Sequence, residues 1–108
     1  MITFEILQQR DSVAGFRVKG HAGYSDSGSD IVCAAVSVLV YNAINSCERF
    51  AGVALNVVDQ GETLTCRLPL QPNESVRLLI NSLFYGVEQV AEQYPEFVRI
   101  TTTNIAKL

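Results

Sequence analysis

The stretch "IVCAAVSVLVYNAI", residues 31–44, decides how the rest of the chain is read. It is apolar on nearly every side of a helical turn, so it is either a bilayer span or the central helix of a packed domain. A span needs roughly 20 apolar residues. This run is shorter, opens beside Asp30, is interrupted by Asn42 and is followed at once by Asn45. The reading is a buried core helix over 30–51, with Ser29 or Asp30 as N-cap and Gly52 just past its end.

The same order of elements appears on either side of that helix. Before it, residues 2–8 alternate loosely, with Ile2, Phe4 and Ile6 set against Thr3 and Glu5. "QRDS" at 9–12 is a turn. Residues 13–20 form a second strand, with Ala14, Phe16 and Val18 facing one way and Arg17 and Lys19 the other. Residues 22–29, rich in Gly, Ser and Asp, read as a loop.

Behind the helix, strand 53–58, the turn "DQGE" and strand 63–68 lead to a second helix. Its Val76, Leu79, Ile80, Leu83, Phe84, Val87, Val90, Ala91 and Tyr94 mark one face, and Pro95 ends it. "FVRITTT" gives a last strand. The order ββα-ββα-β predicts an α+β fold: a two-layer sandwich with a mainly antiparallel sheet and two long helices, in a single domain over 1–108.

Composition narrows the function classes. Of 108 residues, 48% are hydrophobic, enough for a core without disulfides or a structural metal. The net charge is −3 and no two of the eight basic residues are adjacent, so no basic stripe for a phosphate backbone is visible and direct nucleic-acid binding is not expected. "MITFEILQQR" has no basic segment followed by a long apolar run, and three cysteines are an odd number. Both favour a reduced, cytoplasmic protein with no membrane segment.

The three cysteines separate by position. Cys66 shares a strand face with Leu64 and Leu68, and Cys47 lies near the C-terminal end of the helix, where the dipole disfavours a thiolate. Both read as structural. Cys33 falls in the first turn of the expected helix, where unpaired N–H groups and the positive dipole end stabilise a thiolate and could hold an oxyanion. His21, the single histidine, ends the second strand twelve residues earlier and would act as the base.

An inert core Cys33 and a structural His21 remain the alternative at this point, because unpaired cysteines are commonly buried. Asp30 would cap the helix or orient the imidazole. Ser37, one turn after Cys33, supports the site or bonds within its own helix. Nothing has the paired ligand spacing of a metal site, and no cofactor is expected. The glycines of the loop fit neither a P-loop nor a dinucleotide fingerprint.

Gly20-His21-Ala22, Tyr24, Gly28 and Asp30-Ile31-Val32-Cys33-Ala34-Ala35-Val36-Ser37 closely resemble the ribosomal-processing cysteine protease family called Prp. The resemblance implies a bacterial endopeptidase. It would remove a short N-terminal extension from large-subunit ribosomal protein number twenty-seven, cutting after a pair of aromatic residues. It implies Cys33 as nucleophile, His21 as general base, and Asp30 as a capping or orienting group. It also implies a homodimer, and a loop at 22–29, with Ala22, Gly23, Tyr24, Ser25 and Gly28, that closes on substrate. A peptide-binding ribosome-assembly module using the same groove without cutting is the rival reading.

Overall fold

The computed structural model describes residues 1–20 and 27–105, with residues 27–29 described by their backbone alone. The elements are β1 (Ile2–Gln9), β2 (Ser12–Lys19), α1 (Ser27–Ala51), β3 (Asn56–Asp59), β4 (Thr63–Arg67), α2 (Glu74–Gln93) and β5 (Val98–Asn104). The strands form one sheet in the order β3-β4-β2-β1-β5. Only the β1–β5 pair is parallel; the others are antiparallel. This is the expected α+β sandwich, with both helices on one face of a mixed sheet.

Local chemistry accounts for the element ends. β1 and β2 are joined through Arg10 and Asp11, both at positive φ (51° and 63°), the backbone that matches the twist of a tight hairpin. Asn73 caps α2 by accepting the Val76 N–H at 2.8 Å. Tyr94, expected on the buried face of α2, is instead the C-cap and 38% exposed. Pro95 disfavours a helical backbone at the residue before it, so the helix stops one residue sooner.

Three further expectations are corrected. β3 is shorter and later than 53–58. Ile6, grouped with Ile2 and Phe4, is only half-buried, while Leu7 on the opposite side is buried, next to a register shift between Leu7 and Gln8. The third concerns α1. It is not buried all round: Val32, Val36, Val40, Ala43 and Cys47 enter the core, but Ile31 and Val38 are 64% and 69% exposed. One sheet face can cover only one side of a helix, and α2 covers part of another. By length and composition Asp30–Ala51 would also suffice to cross a bilayer. Here its inner side packs on the sheet.

The core lies between that side of α1, the inner face of α2 and one face of the sheet. Phe4 and Phe16 stack at 5.3 Å between ring centres, and Phe84 meets both edge-on at 5.7 and 6.3 Å. On the open sheet face Glu5 accepts from Thr103 Oγ1 (2.5 Å) and Arg17 Nη1 (2.9 Å), with Lys19 Nζ at 3.8 Å. Arg17 Nε also donates to Thr65 Oγ1 at 3.3 Å, so the network joins β5, β1, β2 and β4.

The Thr103 hydrogen bond, partly opposed by burial and helped by Arg17 and Lys19, holds the Glu5 carboxyl below the usual glutamate range. A lowered carboxyl contributes stability that is complete above the unfolded-state value, about 4.3, and is lost as pH falls through the folded value. Glu5→Gln should therefore destabilise the protein at pH 7 and much less at pH 3. Urea midpoints at the two pH values check this; an equal loss at both would exclude the ionised network as the cause.

Candidate active site

Cys33 is carried by α1, which begins at Ser27 rather than at residue 30. Cys33 therefore lies in the second turn, and Asp30 lies inside the first turn rather than at the N-cap. The polar run Ser27-Gly28-Ser29 reads as loop because it carries no apolar periodicity. Such residues are tolerated at a helix start, where the backbone N–H groups have no helical partners in any case.

This shift changes the electrostatics expected at Cys33. The unpaired N–H groups belong to the turn before it, and the dipole effect fades beyond that first turn. The Asp30 carboxylate, which is exposed, occupies the favourable end of the dipole. The helix start thus offers Cys33 less than a first-turn position would.

What α1 does give Cys33 is its place. The side chain is half-buried and packs against the core. Cys33, Ser37 and Tyr41 are spaced by four residues, so they follow one flank of the helix, drifting by about 40° per step. Ser37 and Tyr41 on this flank face β2 and β4, whereas Ile31, Ala35 and Leu39 turn toward α2. Ser37 is half-buried and lines a narrow recess with Val18, Val36, Val40, Tyr41 and Leu64. Tyr41 Oη donates to Asp59 Oδ2 at the end of β3, at 2.8 Å.

The other cysteines are as the strand and helix patterns predict. Cys47 and Cys66 are fully buried, and none of the three is in a disulfide. Burial pushes the Cys47 thiol up, and it pushes Cys66 up to about 12 with a smaller contribution from Cys47. Neither is a nucleophile at neutral pH.

β2 delivers the chain to His21. Its last described neighbour, Gly20, donates its N–H to the Glu62 carbonyl at 2.8 Å and has φ of 81°. A Cβ there would meet the Met1 carbonyl oxygen at 2.7 Å. His21, Ala22, Gly23, Tyr24 and Ser25 lie outside the described residues, and Gly28 is described only as helical backbone. The expected loop over 22–29 is corrected at its end, because 27–29 belong to α1. Among the described residues no cluster of His, Cys, Asp and Glu is arranged to hold a metal ion.

The flank runs on past Ser37 to Tyr41 and, through its hydroxyl, to Asp59, neither of which the motif around Cys33 includes. Tyr41 is legible in the sequence as the next step of the four-residue spacing from Cys33. Asp59 had no such signal; its approach to α1 depends on how the β3–β4 hairpin packs.

The chain is similar to known proteins in sequence and in fold. The family model described as cysteine protease Prp matches residues 1–99. The ribosomal processing cysteine protease Prp of Bacillus subtilis is 30% identical over 112 residues, covering 97% of this chain and all of that protein. The protein of the same name from Staphylococcus aureus is 25% identical over 93% of this chain and 97% of its own length. A crystal structure of a Streptococcus mutans protein superposes with a TM-score of 0.87 at 30% identity, covering 97% of this chain and 96% of that one. The essential ribosomal processing protease Prp from S. aureus, solved with a substrate peptide, also gives 0.87, at 24% identity over 95% of this chain and 100% of its own.

Proposed function

The chain belongs to the cysteine protease Prp family and is a cysteine protease, and from that footing we propose that it processes a ribosomal protein. The substrate is the precursor of large-subunit ribosomal protein number twenty-seven, cut after an aromatic pair so that its short N-terminal extension is removed. The protein acts in the cytoplasm as a single catalytic domain over 1–108, without cofactor and without direct contact to nucleic acid. The observation that carries the site is that Cys33 alone of the three cysteines is not shut inside the core.

In this reading the Cys33 thiolate attacks the scissile carbonyl carbon and forms a C–S bond. His21, having taken the thiol proton, gives it to the leaving nitrogen as the C–N bond breaks. Water then attacks the thioester, His21 takes one of its protons and returns it to the departing Cys33 sulfur as the C–S bond breaks, and the product acid loses the other to solvent as a carboxylate. Asp30, at the helix start, orients the imidazolium by its charge. Ser37 supports the flank next to the nucleophile.

The test is to incubate the purified protein with the precursor ribosomal protein of its own organism and read intact masses. Loss of one N-terminal fragment ending in an aromatic pair is expected. A precursor that stays whole, or is cut elsewhere, rejects the substrate assignment.

The same proposal includes a homodimer. The outward side of α1 carries Ile31, Ala34 and Val38, continuous with Gly86 and Gln89 of α2 in an open apolar trough. A second copy laid along this trough covers it, and Val38→Glu would bury a carboxylate there. Size-exclusion chromatography with light scattering should give twice the chain mass for wild type and the single-chain mass for Val38→Glu. A wild-type monomer at micromolar concentration rejects the dimer.

A further inference from the structure

We propose that Tyr41 and Asp59 are positioning residues that hold the Cys33 helix in register with the strand end from which the chain passes to His21. The inference rests on the reading of Cys33 and His21 as the catalytic pair, and it uses only residues outside the segment between them.

The connection can be followed bond by bond. From Cys33, two helical turns along the same flank lead to Tyr41. Its hydroxyl donates to Asp59 Oδ2 at 2.8 Å, while Asp59 Oδ1 accepts the Gly61 N–H at 2.9 Å. One carboxylate therefore holds the helix with one oxygen and the β3–β4 turn with the other. The turn is closed by Gln60 N–H to the Thr63 carbonyl at 2.9 Å. From its next residue, Glu62, the carbonyl accepts the Gly20 N–H at 2.8 Å, and Gly20 directly precedes His21. Gly20 is hemmed in on its other side by the Met1 carbonyl.

Apolar packing beneath α1 does not do this work. Val36 and Val40 press the helix onto the sheet, a close-packed contact that has no donor and acceptor to fix its direction. A hydrogen bond with a fixed donor and acceptor sets the axial position. Tyr41 is 40% exposed, so its hydroxyl needs no protein partner for burial's sake; water would satisfy it. β3 is also a short strand at the edge of the sheet, so its end is held by one neighbouring strand only. The Asp59 carboxylate raises the Tyr41 hydroxyl above the usual tyrosine range, chiefly through that hydrogen bond, so the donor stays protonated at any working pH.

A small misplacement of reacting groups costs up to about a hundredfold in rate. Tyr41→Phe removes one oxygen and should lower kcat about tenfold with KM within about twofold. The pH midpoint for alkylation of Cys33 should rise, because the thiolate loses a well-placed imidazolium. Melting temperature should change by no more than a few degrees. Asp59→Ala, which also frees the Gly61 N–H, should lose at least as much, and the double variant should be no worse than Asp59→Ala alone, as expected when Tyr41 acts through Asp59.

A bond that is only structural would lower the melting temperature and leave kcat, KM and the alkylation midpoint where they were. That outcome in folded Tyr41→Phe overturns the proposal. Cys33→Ala and His21→Ala are assayed alongside. If they retain cleavage, the catalytic pair itself is wrong; if they lose it while Tyr41→Phe does not, only the positioning role falls.

Discussion

Cys33→Ala should abolish peptide cleavage, by about a thousandfold or more, while the folded protein remains. The two halves of that expectation have separate causes. Without the sulfur no thioester forms, and among the described residues Ser37, the hydroxyl next along the same flank, lies a full turn away. The fold survives because Cys33 sits at a half-buried flank of α1, where alanine is the best helix former. Only a small packing loss is left.

Chemical modification gives an independent check on the same residue. Cys47 and Cys66 are closed off by packing and held as neutral thiols by burial, so brief iodoacetamide treatment at pH 7–8 should add one group, at Cys33. Activity should disappear in step with that single addition. Intact mass, peptide mapping and residual cleavage of the same samples decide it. A fully labelled Cys33 with undiminished cleavage would remove it from the mechanism.

The largest effect on stability is expected at a residue with no side chain. Gly15 lies in β2 opposite Leu7 on one side and Arg67 on the other, and a Cβ built there would fall 2.1 Å from the Cys66 carbonyl oxygen and 3.1 Å from the Arg67 Cα. Both neighbours are backbone, so no side chain can swing away. Gly15→Ala must push β2 and β4 apart, which strains the register that places Phe16 opposite Cys66 and Arg17 opposite Thr65. Overpacking of this kind costs about 3 kcal/mol or more. For a domain of this size the melting temperature should fall by roughly 15 °C. Ser12→Ala, at the exposed start of the same strand, serves as the neutral comparison. Thermal unfolding by circular dichroism distinguishes them, and a Gly15→Ala melt within a few degrees of wild type would show that the strands can separate freely.

Gly15 also shows why part of the molecule could not be read in advance. A glycine within a strand pattern signals a bulge or a close backbone approach, but not which backbone comes near. The polar side of the sheet behaves similarly. Glu5, Arg17, Thr65 and Thr103 are widely separated along the chain and meet only because the order β4-β2-β1-β5 sets them side by side.

The succession of elements is legible along the chain, because strand alternation and helical spacing are local and repeat within a few residues. So is which cysteine to suspect. Cys47 and Cys66 fall on faces that are apolar by their own neighbours, and burial follows from that pattern. Where α1 begins, how much of it is covered and what ties it to the sheet follow from packing between elements distant in the chain. The helix start is polar and carries no periodic signal; the exposed side of α1 depends on how many partners reach it. The Tyr41–Asp59–Gly61 tie joins groups brought together by packing, and a hydrogen bond across a fold has no local trace.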